Sequence, residues 1–153
     1  MDWVLLRDAT RTLMKATALI RRHGLKSRMQ EPACFLRAMN QQCIAMAQAG
    51  KQTDSKKARK RVLRQMKQLT RVVRKHAQRH RDLLDERWQE TDWTRPQAEQ
   101  VLRRMDGVLA QLPAAVKQAH ERIIGERAVA SADKILSLYE PDLHVIVRGK
   151  AGA

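Results

Sequence analysis

From residue 2 to residue 23 the apolar positions Leu6, Ala9, Leu13, Ala16 and Ile20 recur at steps of three and four, which places them on one face of an α-helix. Gly24 ends the pattern, as a glycine just past a helix does. A polar stretch leads to Glu31-Pro32, where proline suits a first helical turn, and Leu36, Met39, Cys43 and Met46 carry the same spacing on to Gly50. Residues 51–55 read as a loop with Asp54 or Ser55 as the next N-cap. Residues 56–87 then run without glycine or proline, enough for a helix of about 45 to 50 Å. Its apolar seam is predicted as Val62, Met66, Leu69, Val73, His76, His80 and Leu83, alternating steps of four and three.

Thr94-Arg95-Pro96-Gln97 has the form of a capping box with proline in the first turn, so a fourth helix is expected there. Val101, Leu102, Met105, Val108, Leu109 and Leu112 supply its buried side. Pro113 is expected to open a separate fifth helix carrying Val116, Ala119, Ile123 and Ile124, closed by Gly125. The period then changes. Residues 134–139 and 144–148 are short β-prone runs on either side of Glu140-Pro141-Asp142-Leu143, a turn-forming string. The pattern therefore predicts a mainly α fold, a bundle of about five helices with one long basic member, ending in a short β-hairpin. Residues 1–130 form the helical region and residues 131–153 the beginning of a sheet domain whose remainder lies outside the chain.

Charge changes this picture from a generic bundle to one with a polarity. The chain of 153 residues carries 31 Lys and Arg against 16 Asp and Glu, a net charge of +15. Residues 1–87 hold 22 basic and 7 acidic residues, whereas residues 88–153 hold 9 of each, so the excess lies entirely in the first part. Residues 51–81 contain 13 basic residues and only Asp54 as an acid. On the long helix Lys57, Lys60, Arg64, Lys67, Arg71, Arg74 and Arg81 follow a stripe roughly 160° around from the apolar seam, with Arg61, Lys75 and Arg79 beside it. Solvated helix faces usually mix acids with bases for i,i+4 pairing, and this one does not, so it reads as a surface for a polyanion.

The same composition narrows the partner. One Phe, one Tyr and three Trp give little to stack on unpaired bases, so phosphate contact with duplex DNA is favoured over single-strand recognition. No window approaches the roughly 18 apolar residues of a membrane span, and the first 25 residues lack the layout of a secretion signal. A cytoplasmic location without membrane contact is expected. Cys34 and Cys43 are too few for a zinc site or a disulfide scaffold and read as free thiols on helix two. His76 and His80 have a spacing that can bind zinc on a helix, but no Glu lies between them and Arg79 repels a cation, so they read as packed or hydrogen-bonded seam residues. Trp88 and Trp93 read as core plugs. No catalytic or metal-binding residue is assigned.

Near the end of the chain a resemblance emerges. Ala132-Asp133-Lys134-Ile135-Leu136-Ser137-Leu138-Tyr139-Glu140-Pro141-Asp142, followed by Val147-Arg148-Gly149-Lys150-Ala151-Gly152, resembles the opening of the catalytic domain of DDE-type bacterial insertion-sequence transposases of the ISNCY-like group. Arg71-Val72-Val73-Arg74-Lys75-His76 and Gln97-Ala98-Glu99-Gln100-Val101-Leu102-Arg103-Arg104-Met105-Asp106 resemble the N-terminal half of the same group. The resemblance implies that the hairpin opens an RNase H-like domain, whose carboxylates hold Mg²⁺ ions in the full-length relative. It also implies that this chain binds insertion-sequence ends, alone or as a homo-oligomer, with helix one or helix two supplying base contacts. Two-metal chemistry needs carboxylates from distant segments, and Glu140 and Asp142 alone do not form that set, so the chain is expected to be catalytically incomplete and to need no cofactor. The alternative from another class is a non-enzymatic helical scaffold or regulatory protein that binds RNA or an acidic partner through its basic helix.

Overall fold

A computed structural model describes residues 3–123, and the expected strands and the residues of the hairpin lie outside them. Four helices make up the described chain: α1 (Val4–Arg22), α2 (Pro32–Ala49), α3 (Ser55–Arg87) and α4 (Arg95–Ile123), with a short 3-10 turn, Trp88–Glu90, between the last two. The protein is mainly α, and no strand occurs among the described residues.

The helix ends form where the local chemistry placed them. Gly24 takes φ +100°, its N–H bonds to the Arg21 carbonyl at 3.1 Å, and the Leu25 N–H bonds to the Ile20 carbonyl at 3.3 Å. That is a Schellman ending, sealed by contact between the buried side chains of Leu25 and Ile20. At the start of α4 the Thr94 N–H donates to Gln97 Oε1 at 2.9 Å and the Gln97 N–H donates to Thr94 Oγ1 at 3.4 Å, the reciprocal pair of a capping box. Asp54 occupies the N-cap position of α3 without a side-chain cap hydrogen bond.

Pro113 does not begin a fifth helix. It lies inside α4, and its exposed ring leaves the packed face intact. Leu102, Met105, Val108, Leu109 and Leu112 before it and Ala115, Ala119 and Ile123 after it form one continuous buried stripe. Losing one backbone hydrogen bond to proline costs about 3 kcal/mol in a helix interior. Burial of the stripe on both sides opposes that cost, at about 25 cal/mol per Å² of apolar surface.

The seam of α3 also differs from the expected one. Its fully buried residues are Leu63, Met66, Thr70, Val73, Ala77, His80 and Leu84, while Val62, Leu69 and Leu83 pack at the edge and His76 is half-buried. The buried face is thus turned by roughly 50 to 60° toward the basic stripe. The cause is the arrangement of the bundle: α1 and α3 each touch the other three helices, so they form its middle with α2 and α4 on either flank. A helix with three neighbours needs a wide buried face, and small residues such as Thr70 and Ala77 at its centre let helices approach closely. The Thr70 hydroxyl is satisfied by the Met66 carbonyl at 2.8 Å.

Cross-helix contacts give the directions. Phe35 of α2 meets His76 of α3 with ring centroids 5.5 Å apart, and Arg21 near the end of α1 reaches His80 of α3 at 3.3 Å. Arg81 and Lys67 of α3 contact Asp106 and His120 of α4, so α4 runs back along α3. His23 stacks on Trp93 at 4.1 Å, tying the end of α1 to the turn before α4. Trp88 and Trp93 are half-buried and pack against the core.

Candidate nucleic-acid interface

The candidate surface is the outward arc of α3. Arg and Lys dominate its sequence, and at 3.6 residues per turn they cannot all fit the buried arc, so the helix shows them to solvent over most of its length. Lys57, Arg61, Arg64, Arg71, Arg74, Lys75 and Arg79 are exposed, while Lys60, Lys67 and Arg81, nearest the rotated seam, are half-buried. No carboxylate among the described residues lies within 4.0 Å of Lys57, Lys60, Arg61, Arg64, Lys67, Arg71, Arg74, Lys75 or Arg79. Nine cations on one helix therefore lack the carboxylate pairing that ordinarily limits self-repulsion.

The charges also oppose the helix dipole. Lys56, Lys57, Arg59, Lys60 and Arg61 occupy the first two turns, at the positive end, with no acid among them, while Asp82, Asp85 and Glu86 share the last two turns with Arg81 and Arg87. The effect is confined to the terminal turn, so it bears chiefly on Lys56 and Lys57, at up to about 1 kcal/mol each. A bound polyanion over the first turns relieves both the repulsion and the dipole conflict.

Two of the expected contact residues have partners. Arg81 is engaged by three carboxylates: its Nε donates to Asp106 Oδ1 at 2.8 Å, its Nη2 to Asp106 Oδ2 at 3.1 Å, and its Nη1 approaches Asp82 and Asp85 at 3.3 Å. The hydrogen bonds to Asp106, and after them the other nearby carboxylates, hold its guanidinium proton more firmly than usual. Arg81 thus joins α3 to α4 rather than standing open to a ligand. Lys67 donates from Nζ to Nδ1 of His120 on α4 at 3.2 Å, which fixes its ammonium at the crevice between the two helices. That crevice has a volume of about 280 Å³, with Lys67, Arg71 and Arg74 on one wall and Leu112, Pro113 and Val116 on the other. Sequence periodicity could show the stripe but not this crevice, because the α4 wall lies some forty residues downstream and depends on Pro113 being inside a helix.

His80 is structural. His80 donates from Nδ1 to the His76 carbonyl at 2.8 Å, and its Nε2 accepts the Ser27 N–H at 3.1 Å beside Arg21 Nη1 at 3.3 Å. Arg21 in turn donates to the Ser27 carbonyl at 2.6 Å, so neutral His80 pins the α1–α2 loop to α3. Burial, and then the positive charge of Arg21, push the His80 pKa down, while its bond to the His76 carbonyl acts the other way. With both nitrogens engaged, His80 has no lone pair left for zinc, and no group of three or more metal-ligating side chains occurs among the described residues. Cys34 and Cys43 are free thiols, and burial raises the pKa of Cys43. No described helix is long and apolar enough to cross a membrane.

Comparisons of the chain with models of protein families, with curated proteins and with solved structures return no match.

Proposed function

We propose that the protein binds duplex DNA through the basic arc of α3, as the helical DNA-binding part of a DDE-type insertion-sequence transposase. The observation that carries the binding is the run of cations from Lys57 to Arg79, unpaired by any carboxylate of the described residues and set against the dipole of its own helix. Lys57, Lys60, Arg61, Arg64, Lys67, Arg71, Arg74, Lys75 and Arg79 are the phosphate contacts, and Arg81 is left out because Asp106 holds it. α3 contains no Phe, Tyr or Trp, so it offers charge along a backbone and no stacking platform for splayed bases. Phosphate neutralisation gives affinity and register without sequence choice, and the element's ends are then chosen by side chains elsewhere on the bundle. The link to transposition rests on the resemblance of residues 71–76, 97–106, 132–142 and 147–152 to that family.

Competition is the direct test. A fluorescent duplex carrying the terminal inverted repeat of the encoding element is bound, then challenged with the same duplex unlabelled, a random duplex, a single strand and polyglutamate. Displacement by the repeat at clearly lower concentration than by random duplex supports the transposase reading. Displacement by polyglutamate as readily as by duplex overturns it in favour of a scaffold for acidic protein partners.

A further inference from the structure

We propose that the α3–α4 crevice is a nucleotide subsite that takes a phosphate monoester carried on a nucleoside, beyond the backbone contacts of the ridge. The inference rests on the duplex-DNA reading for its choice of ligand, and on the crevice itself for its geometry. Lys67, Arg71 and Arg74 stand at i, i+4 and i+7 and all line one hollow of about 280 Å³. Three cations lining one hollow match a charge of roughly −1.5 to −2, which a phosphate monoester carries at neutral pH and a diester does not.

The opposite wall decides the rest of the ligand. Pro113 and the half-buried Val116, over the buried Leu112, line the same hollow and give it an apolar side. Inorganic phosphate would leave that wall wet, whereas the sugar and base edge of a nucleotide would cover it and gain from burial. The volume, about 280 Å³, sits just below the roughly 300 to 1,000 Å³ of drug-sized pockets, which suits one nucleotide. Preorganisation favours binding as well: His120 holds Lys67 in place through a single hydrogen bond, leaving two of its N–H groups for the ligand. Pro113 contributes through its position, because it lies in α4 with its ring exposed at the crevice.

The experiment is calorimetric titration of the full chain with thymidine monophosphate, thymidine and inorganic phosphate, together with two variants that fill the crevice without altering charge, Pro113→Trp and Val116→Phe. Thermal melting by circular dichroism verifies that each variant is folded, and either one suffices. The nucleotide is expected to bind at least about tenfold more tightly than phosphate, with thymidine inert, and each folded variant to lose about tenfold or more for the nucleotide. Equal affinity for nucleotide and inorganic phosphate would overturn the proposal, as would full nucleotide affinity in a folded variant. The variants should keep the parent's salt dependence of duplex binding. A parent that binds duplex without salt dependence would refute the ridge reading alone, whatever the nucleotide does. A duplex with a 5′-phosphate, compared with the same duplex bearing a 5′-hydroxyl, separates the two sources: preference for the former assigns the crevice to a strand end, and parity assigns it to a free nucleotide.

Discussion

Arg81 of α3 and Asp106 of α4 form a two-pronged ion pair, with N–H···O distances of 2.8 and 3.1 Å in parallel. The pair marks where the cationic arc stops being open to a ligand and starts holding the bundle together. Both side chains are partly exposed, at 24% and 48%, so water screens the interaction. Asp106→Asn is therefore expected to cost no more than about 1 kcal/mol, read as a small fall in melting temperature. Freed from Asp106, Arg81 should add to the surface potential, making the salt dependence of duplex binding steeper by up to about one unit. A shallower dependence would show that the pair positions a phosphate contact instead.

The His80 contacts predict a pH effect on stability. Burial and Arg21 depress its pKa in the folded state below the ordinary value of 6.5. A histidine held neutral contributes stability that is complete above its unfolded pKa and is lost as pH falls toward the folded one, because the unfolded chain binds the proton more readily. His76, depressed mainly by burial and then by Arg79 and Lys75, acts in the same direction. Melting temperature is expected to fall between about pH 7 and pH 5, and to fall less in His80→Gln. An equal pH dependence in the variant would mean that protonated His80 is tolerated beside Ser27 and Arg21.

Packing along α3 gives a contrast within one helix. Leu63 is completely buried, while Leu69 lies at the edge of the core. Leu63→Ala should cost about 2 to 5 kcal/mol, and Leu69→Ala clearly less, measured by chemical denaturation. The reverse order would return the seam to the line of Leu69 and His76.

The sequence made the helix count legible up to α4, because apolar steps of three and four, Gly24, Pro32 and the Thr94–Gln97 box are all local signals. Pro113 is a local breaker signal that predicts a boundary, whereas the apolar stripe continues through it without a break. On α3 the apolar period favours the bulkier member of neighbouring pairs, Leu69 over Thr70 and His76 over Ala77. Those choices fail because a central helix with three neighbours buries its small residues most deeply, a fact of tertiary arrangement that one helix's period does not contain. For the candidate surface, the stripe of cations was visible from Lys57 to Arg81. The partners that distinguish Lys67 and Arg81 from the others, His120 and Asp106, are not local, and pairing across helices depends on the direction of α4.

If the open cations of α3 neutralise phosphates, duplex binding must weaken steeply with salt. Each neutralised phosphate contributes about −0.9 to the slope of log K against log salt. Replacing Arg64, Lys67 and Arg71 together with Gln removes three charges with little change in helix propensity. The slope of the triple variant is expected to be shallower than the parent's by about two to three units, with helicity unchanged by circular dichroism. Replacing the exposed pair Arg103 and Arg104 on α4 should change it much less. Parent and triple variant with the same slope would contradict the account, leaving the arc of α3 as a solvated face.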